Sequence, residues 1–216
     1  MGKKTILITR PNHDSITHYL CEWNNEIINM AKEKNFDVHD LKAEKANKKE
    51  TISHLEKQKY EFVILNGHGN ANQIAGYNNE ILIESGINHK LLNDKVTYAI
   101  SCNAAKELGK KCCEDGAIAF IGYENDFVLF YEKNMISRPM QDQYAKAIIM
   151  PSNQISQTLI KGNDINEAIK RSNEITNQNI EKFKSTESII GAENVVMALM
   201  WNMASLKVNG DSNQKI

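Results

Sequence analysis

The sequence carries almost no net charge and no long apolar run, and each absence excludes a class of protein. Its 26 basic and 27 acidic side chains leave a formal charge of −1, so no overall field draws the chain toward nucleic acid or anionic lipid. No stretch approaches the roughly 18 apolar residues of a membrane-spanning helix, and the apolar run near the N-terminus is too short for a signal peptide. We therefore expect a cytoplasmic protein with no nucleic-acid partner and no membrane partner.

Sequence motifs of several enzyme classes are missing as well. The first predicted strand is followed neither by a P-loop nor by the G-x-G-x-x-G pattern of dinucleotide-binding folds, and the chain has no G-x-S-x-G nucleophile elbow. Its four cysteines show neither a disulfide framework nor the spacing of zinc ligands, so we interpret them as reduced thiols. The sequence predicts no metal site and no cofactor.

Apolar, β-branched segments alternate with segments of helical period along most of the 216 residues. Strands are predicted over residues 4–9, 36–41, 60–66, 96–102 and 117–123. Helices are predicted within 12–34 and over 46–59, 104–115, 141–160, 163–183 and 191–208, with a small hairpin within 73–84 and a short helix over 85–92. This order predicts an α/β fold in one domain, residues 1–216, with a mostly parallel β-sheet, helices on both faces and a helical C-terminal third.

The ends of two predicted strands carry the residues best suited to chemistry. Open α/β sheets bind ligands at the carboxyl ends of their strands, and there the third strand ends near His68 and the fourth at Cys102. A thiol needs a nearby imidazole to act as a nucleophile. Gly67 and Gly69 let the backbone turn sharply around His68. A helix starting near Ala104 is expected to aim its N-terminal N–H groups and dipole at the thiol.

Each of these residues also has a plainer interpretation when it is taken singly. A cysteine at the end of a buried strand is commonly a core residue, and a histidine in a glycine-rich turn is commonly an ordinary loop residue. The combination of two buried strands, one running into His68-Gly69 and the next into Cys102, is less common. Ser101 is a poorer candidate nucleophile because it is predicted to lie on the opposite face of its strand.

The segments FVILNGHGNANQIAG and VTYAISCNAAKELGKKCCEDGAIAFIGY resemble the caspase-like cysteine peptidases of clan CD, nearest the gingipain and CHAT-like branches. The shared signature is an apolar block followed by His-Gly and a second apolar block that ends in Cys, and the resemblance covers roughly residues 4–130. It implies a caspase-like three-layer sandwich and a cysteine endopeptidase. His68 would be the general acid/base and Cys102 the nucleophile, with the N–H groups of Gly69 and Cys102 forming the oxyanion hole. A third triad residue is not required, and the sequence offers no obvious one.

The resemblance also implies one charged pocket for the residue that precedes the scissile bond, lined from the loops after the first and fifth strands. Those loops hold three candidate carboxylates, Asp14, Glu124 and Asp126, against one guanidinium, Arg10. An acidic pocket would select Arg or Lys by charge-assisted hydrogen bonds. Asp14 can instead be the N-cap of the first helix. Arg10 leaves open a preference for Asp.

These observations favour a peptidase that acts on a protein or peptide substrate, with a possible regulatory protein partner. Two alternatives remain open. One is a catalytically inactive caspase-like interaction module, and the other is a flavodoxin-like α/β domain in which His68 and Cys102 are coincidental. The intact pair favours the peptidase over the inactive module, because an inactive relative needs neither residue.

Overall fold

A six-stranded β-sheet forms the centre of the protein in a computed structural model that describes residues 2–185 and 191–216. The strands of this sheet are β1 (Thr5–Arg10), β2 (Asp37–Lys42), β3 (Phe62–Asn66), β7 (Val96–Ile100), β8 (Ala119–Tyr123) and β9 (Leu206–Gly210). Five of them are parallel, in the spatial order β2-β1-β3-β7-β8, and β9 pairs antiparallel with β8 at one edge. The predicted α/β fold with a mostly parallel sheet is confirmed.

A second, three-stranded antiparallel sheet follows β3, where the sequence predicted a hairpin. It consists of β4 (Gly69–Asn70), β5 (Gln73–Ala75) and β6 (Ile81–Glu84). The α-helices are α1 (Ser15–Trp23), α2 (Asn25–Glu33), α3 (Lys48–Lys57), α4 (Leu108–Glu114), α5 (Gln143–Ile160), α6 (Ile165–Ser185) and α7 (Ala192–Ser205). Within the described residues, no helix has both the length and the apolarity that crossing a membrane requires.

The central strands are buried on both faces, which is why their sequences are apolar almost without interruption. Every residue of β3, β7 and β8 is buried. Alternate side chains of β1 enter two separate cores: Ile6 packs in the core that contains α1, α2 and α5, and Leu7 packs in the core that contains α3 and α4. Helices therefore cover both faces of the sheet, as predicted.

The prediction of one helix over residues 191–208 is wrong at its end. Helix α7 ends at Ser205, and the next five residues form β9, which runs antiparallel to β8. This strand lies at the edge of the sheet and is only half-buried, so its sequence lacks the continuous apolar run by which the buried strands are recognised. The predicted first helix is likewise divided into α1 and α2 at Asn24.

The order of the strands places the topological switch point between β1 and β3. The chain goes from β1 to β2 on one side and then crosses to β3 on the other, so the connections that leave β1 and β3 diverge to opposite faces. In open α/β sheets this divergence opens a crevice at the carboxyl ends of the two strands, where ligands bind. The loop after β1 carries His13 and Asp14, and the loop after β3 carries His68.

Candidate active site

The backbone around His68 is fixed by the small sheet. Gly67 has a φ of +149°, and a side chain there would collide with the carbonyl oxygen of Ala75. The next carbonyl, that of His68, accepts a hydrogen bond of 2.8 Å from the Ala75 N–H. Glycine is therefore required at position 67 for steric and conformational reasons, and the first strand of the hairpin begins directly after His68.

The His68 imidazole is held by a carboxylate from the loop after β1. Its Nε2 lies 2.5 Å from Oδ2 of Asp14, while Oδ1 of Asp14 accepts a 2.8 Å hydrogen bond from the Thr17 N–H as the N-cap of α1. Burial on its own would raise the pKa of Asp14, but the hydrogen bonds from Thr17 and His68 outweigh it and the pKa is lowered. Asp14 is therefore ionised at neutral pH, with one oxygen fixed by a helix and the other bonded to the imidazole.

The strand register brings the loop that carries His68 beside Cys102. Strands β3 and β7 pair in parallel up to Asn66 opposite Ile100, so the residues that follow each strand leave the sheet side by side. Gly69 packs directly on this neighbour: a Cβ at Gly69 would collide with Ser101 Oγ and lie 3.4 Å from the Cys102 carbonyl oxygen. Both predicted residues thus lie at adjacent strand ends, and only glycine fits between them.

The Gly69 N–H is directed away from its own hairpin. Gly69 faces Ile74 across the hairpin, and the hydrogen bond from the Ala75 N–H to His68 flanks this pair. In an antiparallel ladder such a pair is the non-hydrogen-bonded kind, whose N–H groups point outward. The donor predicted for the oxyanion hole is therefore not consumed by pairing with β5.

The Cys102 thiol lies in surroundings that favour its neutral form. Burial raises its pKa most, the Phe127 N–H opposes this, and the carboxylate of Asp126 raises the pKa further by its charge. In the described part of the chain no hydrogen bond joins this thiol to His68. The thiol is half-buried and, like the other three cysteines, forms no disulfide.

The predicted helix over 104–115 exists, but its predicted start at Ala104 is wrong. The expected support of Cys102 by the N-terminus of this helix is therefore wrong as well. Residues 102–107 form turns, and α4 begins only at Leu108. Asn103 adopts a left-handed conformation with a φ of +58°, donates its N–H to the Asn125 carbonyl (3.0 Å) and its Nδ2 to Asp126 Oδ1 (2.5 Å). These contacts with the loop after β8 replace the helical hydrogen bonds of the first turns.

The three carboxylates proposed for one specificity pocket have separate partners. Asp14 binds His68, Asp126 binds Asn103, and Glu124 lies 3.9 Å from the Lys207 ammonium on β9. The backbone of Asp126 is itself held from α7, where the half-exposed Trp201 donates its indole N–H to the Asp126 carbonyl at 2.8 Å. Of the three carboxylates, Asp126 is the one that raises the pKa of the Cys102 thiol.

Arg10 cannot serve a substrate carboxylate, so the proposed preference for Asp through this residue is wrong. Its side chain is 3 % exposed. It makes a bidentate pair with Asp40, at 2.8 Å from Nε and 2.5 Å from Nη2, and it donates from Nη1 to the Cys21 carbonyl at 2.6 Å. The sequence predicts Arg10 in the loop after the first strand, but Arg10 is the last residue of β1 and its side chain turns into the protein toward β2 and α1.

No family model matches the chain, and no curated protein sequence matches it either.

The sequence interpretation missed the pairing of Asp14 with His68 because 54 residues separate the two in the chain. It also missed His13, whose ring lies edge-on to that of His68 with centroids 5.9 Å apart. The sequence feature that could have indicated both contacts was the His13-Asp14 pair in the loop after β1. A strand that neighbours β3 must bring its following loop to the same edge of the sheet.

Proposed function

We propose that this protein is a cysteine endopeptidase of the caspase-like type, with Cys102 as nucleophile and His68 as general acid/base, acting on a protein or peptide in the cytoplasm. One observation carries the proposal. The pairing of β3 with β7 places His68 and Gly69 beside Ser101 and Cys102. Gly69 lies so close to Ser101 Oγ that any side chain at position 69 would collide with it. A carboxylate that orients the imidazole adds to it, because an oriented base beside a nucleophile is the geometry of covalent acyl transfer.

Proton transfer in this mechanism runs through the nitrogen of His68 that Asp14 does not contact. Since Asp14 engages Nε2, Nδ1 accepts the thiol proton as Cys102 Sγ bonds to the substrate carbonyl carbon. The carbonyl oxygen becomes an oxyanion, stabilised by the N–H groups of Gly69 and Cys102. The imidazolium, stabilised by Asp14, then gives its proton to the leaving amine as the C–N bond breaks. Water hydrolyses the resulting thioester by the same base.

Asp126 is the carboxylate best suited to select Arg or Lys before the scissile bond. In the substrate-free protein its charge adds to the effect of burial and raises the pKa of Cys102. A substrate cation that pairs with Asp126 would draw the carboxylate from the thiol and so remove part of what keeps the sulfur protonated. Recognition of the basic residue and activation of the nucleophile would then be the same event. Asp14 and Glu124 are weaker candidates, because Asp14 is already bonded to His68 and to the α1 cap and Glu124 lies beside Lys207.

The decisive experiment is cleavage of a peptide library whose members differ at the residue before the scissile bond. The native protein should cleave after Arg or Lys. Cys102→Ala should lower kcat/KM by at least about 10⁴-fold, because removing the nucleophile of an acyl-transfer unit leaves only residual catalysis. Cys113→Ala, which alters another half-buried thiol, is the matched control and should change the rate less than about 2-fold. Cleavage that survives Cys102→Ala would refute the assignment.

An inactive caspase-like interaction module is the second candidate, and one observation favours it. Burial and the Asp126 carboxylate raise the pKa of the thiol, and among the described residues no hydrogen bond joins the thiol to His68. If the native protein folds normally but no library member is cleaved, and the thiol labels no faster when basic peptides are added, this second candidate is the better description.

A further inference from the structure

We propose that His13, Asp14 and His68 form a binding site for a divalent transition-metal ion, with Zn²⁺ as its representative, at the crevice between β1 and β3. We further propose that the bound ion switches off the peptidase by occupying His68, and this second step rests on the proposed function. The three residues can place one ligand atom each within 4.8 Å of one another. Two imidazoles and a carboxylate are a donor set that suits zinc and its first-row neighbours.

The distances are close to those that a tetrahedral ion needs. Zinc bonds of roughly 2.0–2.1 Å place neighbouring ligand atoms about 3.3 Å apart. His13 Nε2 already lies 3.5 Å from Asp14 Oδ2, whereas His68 Nε2 lies at 2.5 Å because a hydrogen bond joins the two atoms. Metal binding therefore requires this hydrogen bond to open by less than about 1 Å, and the ligand nitrogens of His13 and His68, which lie within 4.8 Å of one another, to come to about 3.3 Å. The His68 side chain is 38 % exposed and has room to make that movement.

The His13 ring is held in place, but its two nitrogens make no strong hydrogen bond within the described residues. Its side chain is 9 % exposed and lies edge-on to the Tyr77 ring, with centroids 5.6 Å apart. Among the described residues its buried Nδ1 has no hydrogen-bond partner, and its Nε2 has only a long 3.4 Å contact with Asn79 Oδ1 besides Asp14. Because Nε2 makes only this long contact and the contact with Asp14, a metal ion bound at Nε2 would displace no strong hydrogen bond of the ring. No role in peptide cleavage uses this ring.

The position in the fold supports a ligand site for an independent reason. His13 and Asp14 follow β1, and His68 follows β3, so the cluster lies at the topological switch point where open α/β sheets bind their ligands. Cys102 follows the next strand along, β7, and does not belong to this cluster. The site is thus formed by the crevice rather than by the predicted His–Cys pair.

The ion would inactivate His68 through the distribution of protons on its ring. In the metal-free protein the neutral ring carries its one proton on Nε2, toward Asp14, and on binding the metal takes Nε2 while that proton moves to Nδ1 by exchange with solvent. A ring with the metal on Nε2 therefore carries its only proton on Nδ1. It then has no lone pair with which to accept the proton of the Cys102 thiol, so the first step of the proposed reaction stops.

Calorimetric titration of Zn²⁺ into the untagged Cys102→Ala protein tests the site without the thiol as a competing ligand. We expect one equivalent to bind. His13→Asn in the same background should weaken binding at least about 100-fold, since even outer-shell partners of metal ligands cost about 10- to 100-fold. His54→Asn is the matched control, because His54 lies in the other histidine pair, with His39, and should leave the affinity within about 2-fold. Absence of binding, or equal binding after His13→Asn, would overturn the proposal.

A second arm tests the switch. Peptide cleavage by the native protein should fall at least about 10-fold when Zn²⁺ is added and recover with a chelator. The His13→Asn protein, compared with its own metal-free rate, should need at least about 100-fold more Zn²⁺ for the same inhibition. Equal sensitivity of the two proteins would overturn the switch. If no peptide is cleaved at all, the proposed function fails, whereas the titration of the Cys102→Ala protein still decides the metal site.

Discussion

The two strand ends that carry the candidate site are built in different ways. At the β1/β3 crevice the His68 imidazole is bonded to Asp14, and Asp14 is itself fixed by the capping box of α1. At the β7/β8 end, Cys102 lies in irregular backbone where left-handed Asn103 ties one loop to the other. His68 is therefore held by regular secondary structure, and Cys102 by contacts between loops.

The pKa values at the two ends are shifted in opposite directions. Hydrogen bonds lower the pKa of Asp14 and keep it ionised, whereas burial and Asp126 raise the pKa of Cys102 and keep it protonated. A carboxylate that stays charged suits a residue that must stabilise an imidazolium, and a thiol that stays neutral is protected from oxidation and alkylation. In the proposed mechanism, His68 is a base that is already oriented and Cys102 is a nucleophile that a substrate must first release from its protonated state.

Removing the carboxylate that orients His68 should have the largest effect. Ser caps helices about as well as Asp does, so Asp14→Ser keeps the cap of α1 but removes the carboxylate that binds His68. We expect kcat to fall about 10²- to 10⁴-fold, the range of general acid–base catalysis, with KM changed less than about 3-fold. The pH–rate profile on its acidic limb should shift, because the charge that stabilises the imidazolium is gone.

The matched control for this substitution is Asn47→Ser. Asn47 caps α3 through the Glu50 N–H and makes no contact with His68, so it reports the effect of changing a cap alone. If Asp14→Ser lowers the melting temperature without lowering kcat, Asp14 is a structural cap and not a positioning residue, and the base is no better prepared than the nucleophile.

The fold could be predicted from sequence wherever burial on both faces leaves its mark. Strands β3, β7 and β8 are apolar throughout, and their predicted boundaries agree with the structure to within two residues. Strand β9 could not be found in this way, because an edge strand with half-buried side chains needs no apolar run. The turns after Cys102 escaped prediction for another reason: Asn103 takes its conformation from the Asn125 and Asp126 loop, which no local pattern encodes.

The site could be predicted as far as each residue's position at a strand end, but not as far as its partners. His68 and Cys102 come to neighbouring strand ends, as parallel pairing requires. The bond between Asp14 and His68 depends on β1 being the other neighbour of β3, which the sequence alone does not specify. Arg10 shows the opposite error: the sequence predicts it in an accessible loop, whereas it ends β1 and Asp40 on β2 binds it inside the protein.

An intermediate effect is expected from Asp126→Asn, which alters only the nucleophile's end. Without this carboxylate the pKa of Cys102 should fall toward the ordinary thiol range, so iodoacetamide should label Cys102 faster at neutral pH. Cleavage after Arg should drop about 10- to 150-fold in kcat/KM, because a charge-assisted hydrogen bond of about 1.5–3 kcal/mol is lost.

Glu124→Gln is the control for that substitution, since it neutralises a carboxylate of the same loop that lies beside Lys207. It should change neither labelling nor specificity by more than about 2-fold. Slower labelling of Cys102 in Asp126→Asn would show that the carboxylate does not hold the thiol proton. Unchanged cleavage after Arg would mean that the charge selecting the substrate lies elsewhere.

The smallest effect, and the finest test of the comparison, concerns stability at the two extremes of pH. The pKa of Asp14 is lowered on folding, so its contribution is complete above the pKa of the unfolded chain and is lost as the pH falls through the lower folded value. The pKa of Cys102 is raised, so its contribution is complete below the unfolded thiol pKa, near 9, and is lost as the pH rises through the higher folded value.

Urea unfolding across pH should separate the contribution of Asp14 from that of Cys102. The native protein should lose stability relative to Asp14→Ser only below about pH 4, and relative to Cys102→Ala only above about pH 9. The acidic difference should be no more than about 1 kcal/mol, because Asp14 is one-third exposed and solvent screens its pairing. If both variants diverge from the native protein at the same end of the pH range, the contrast between a charged base partner and a protonated nucleophile is wrong.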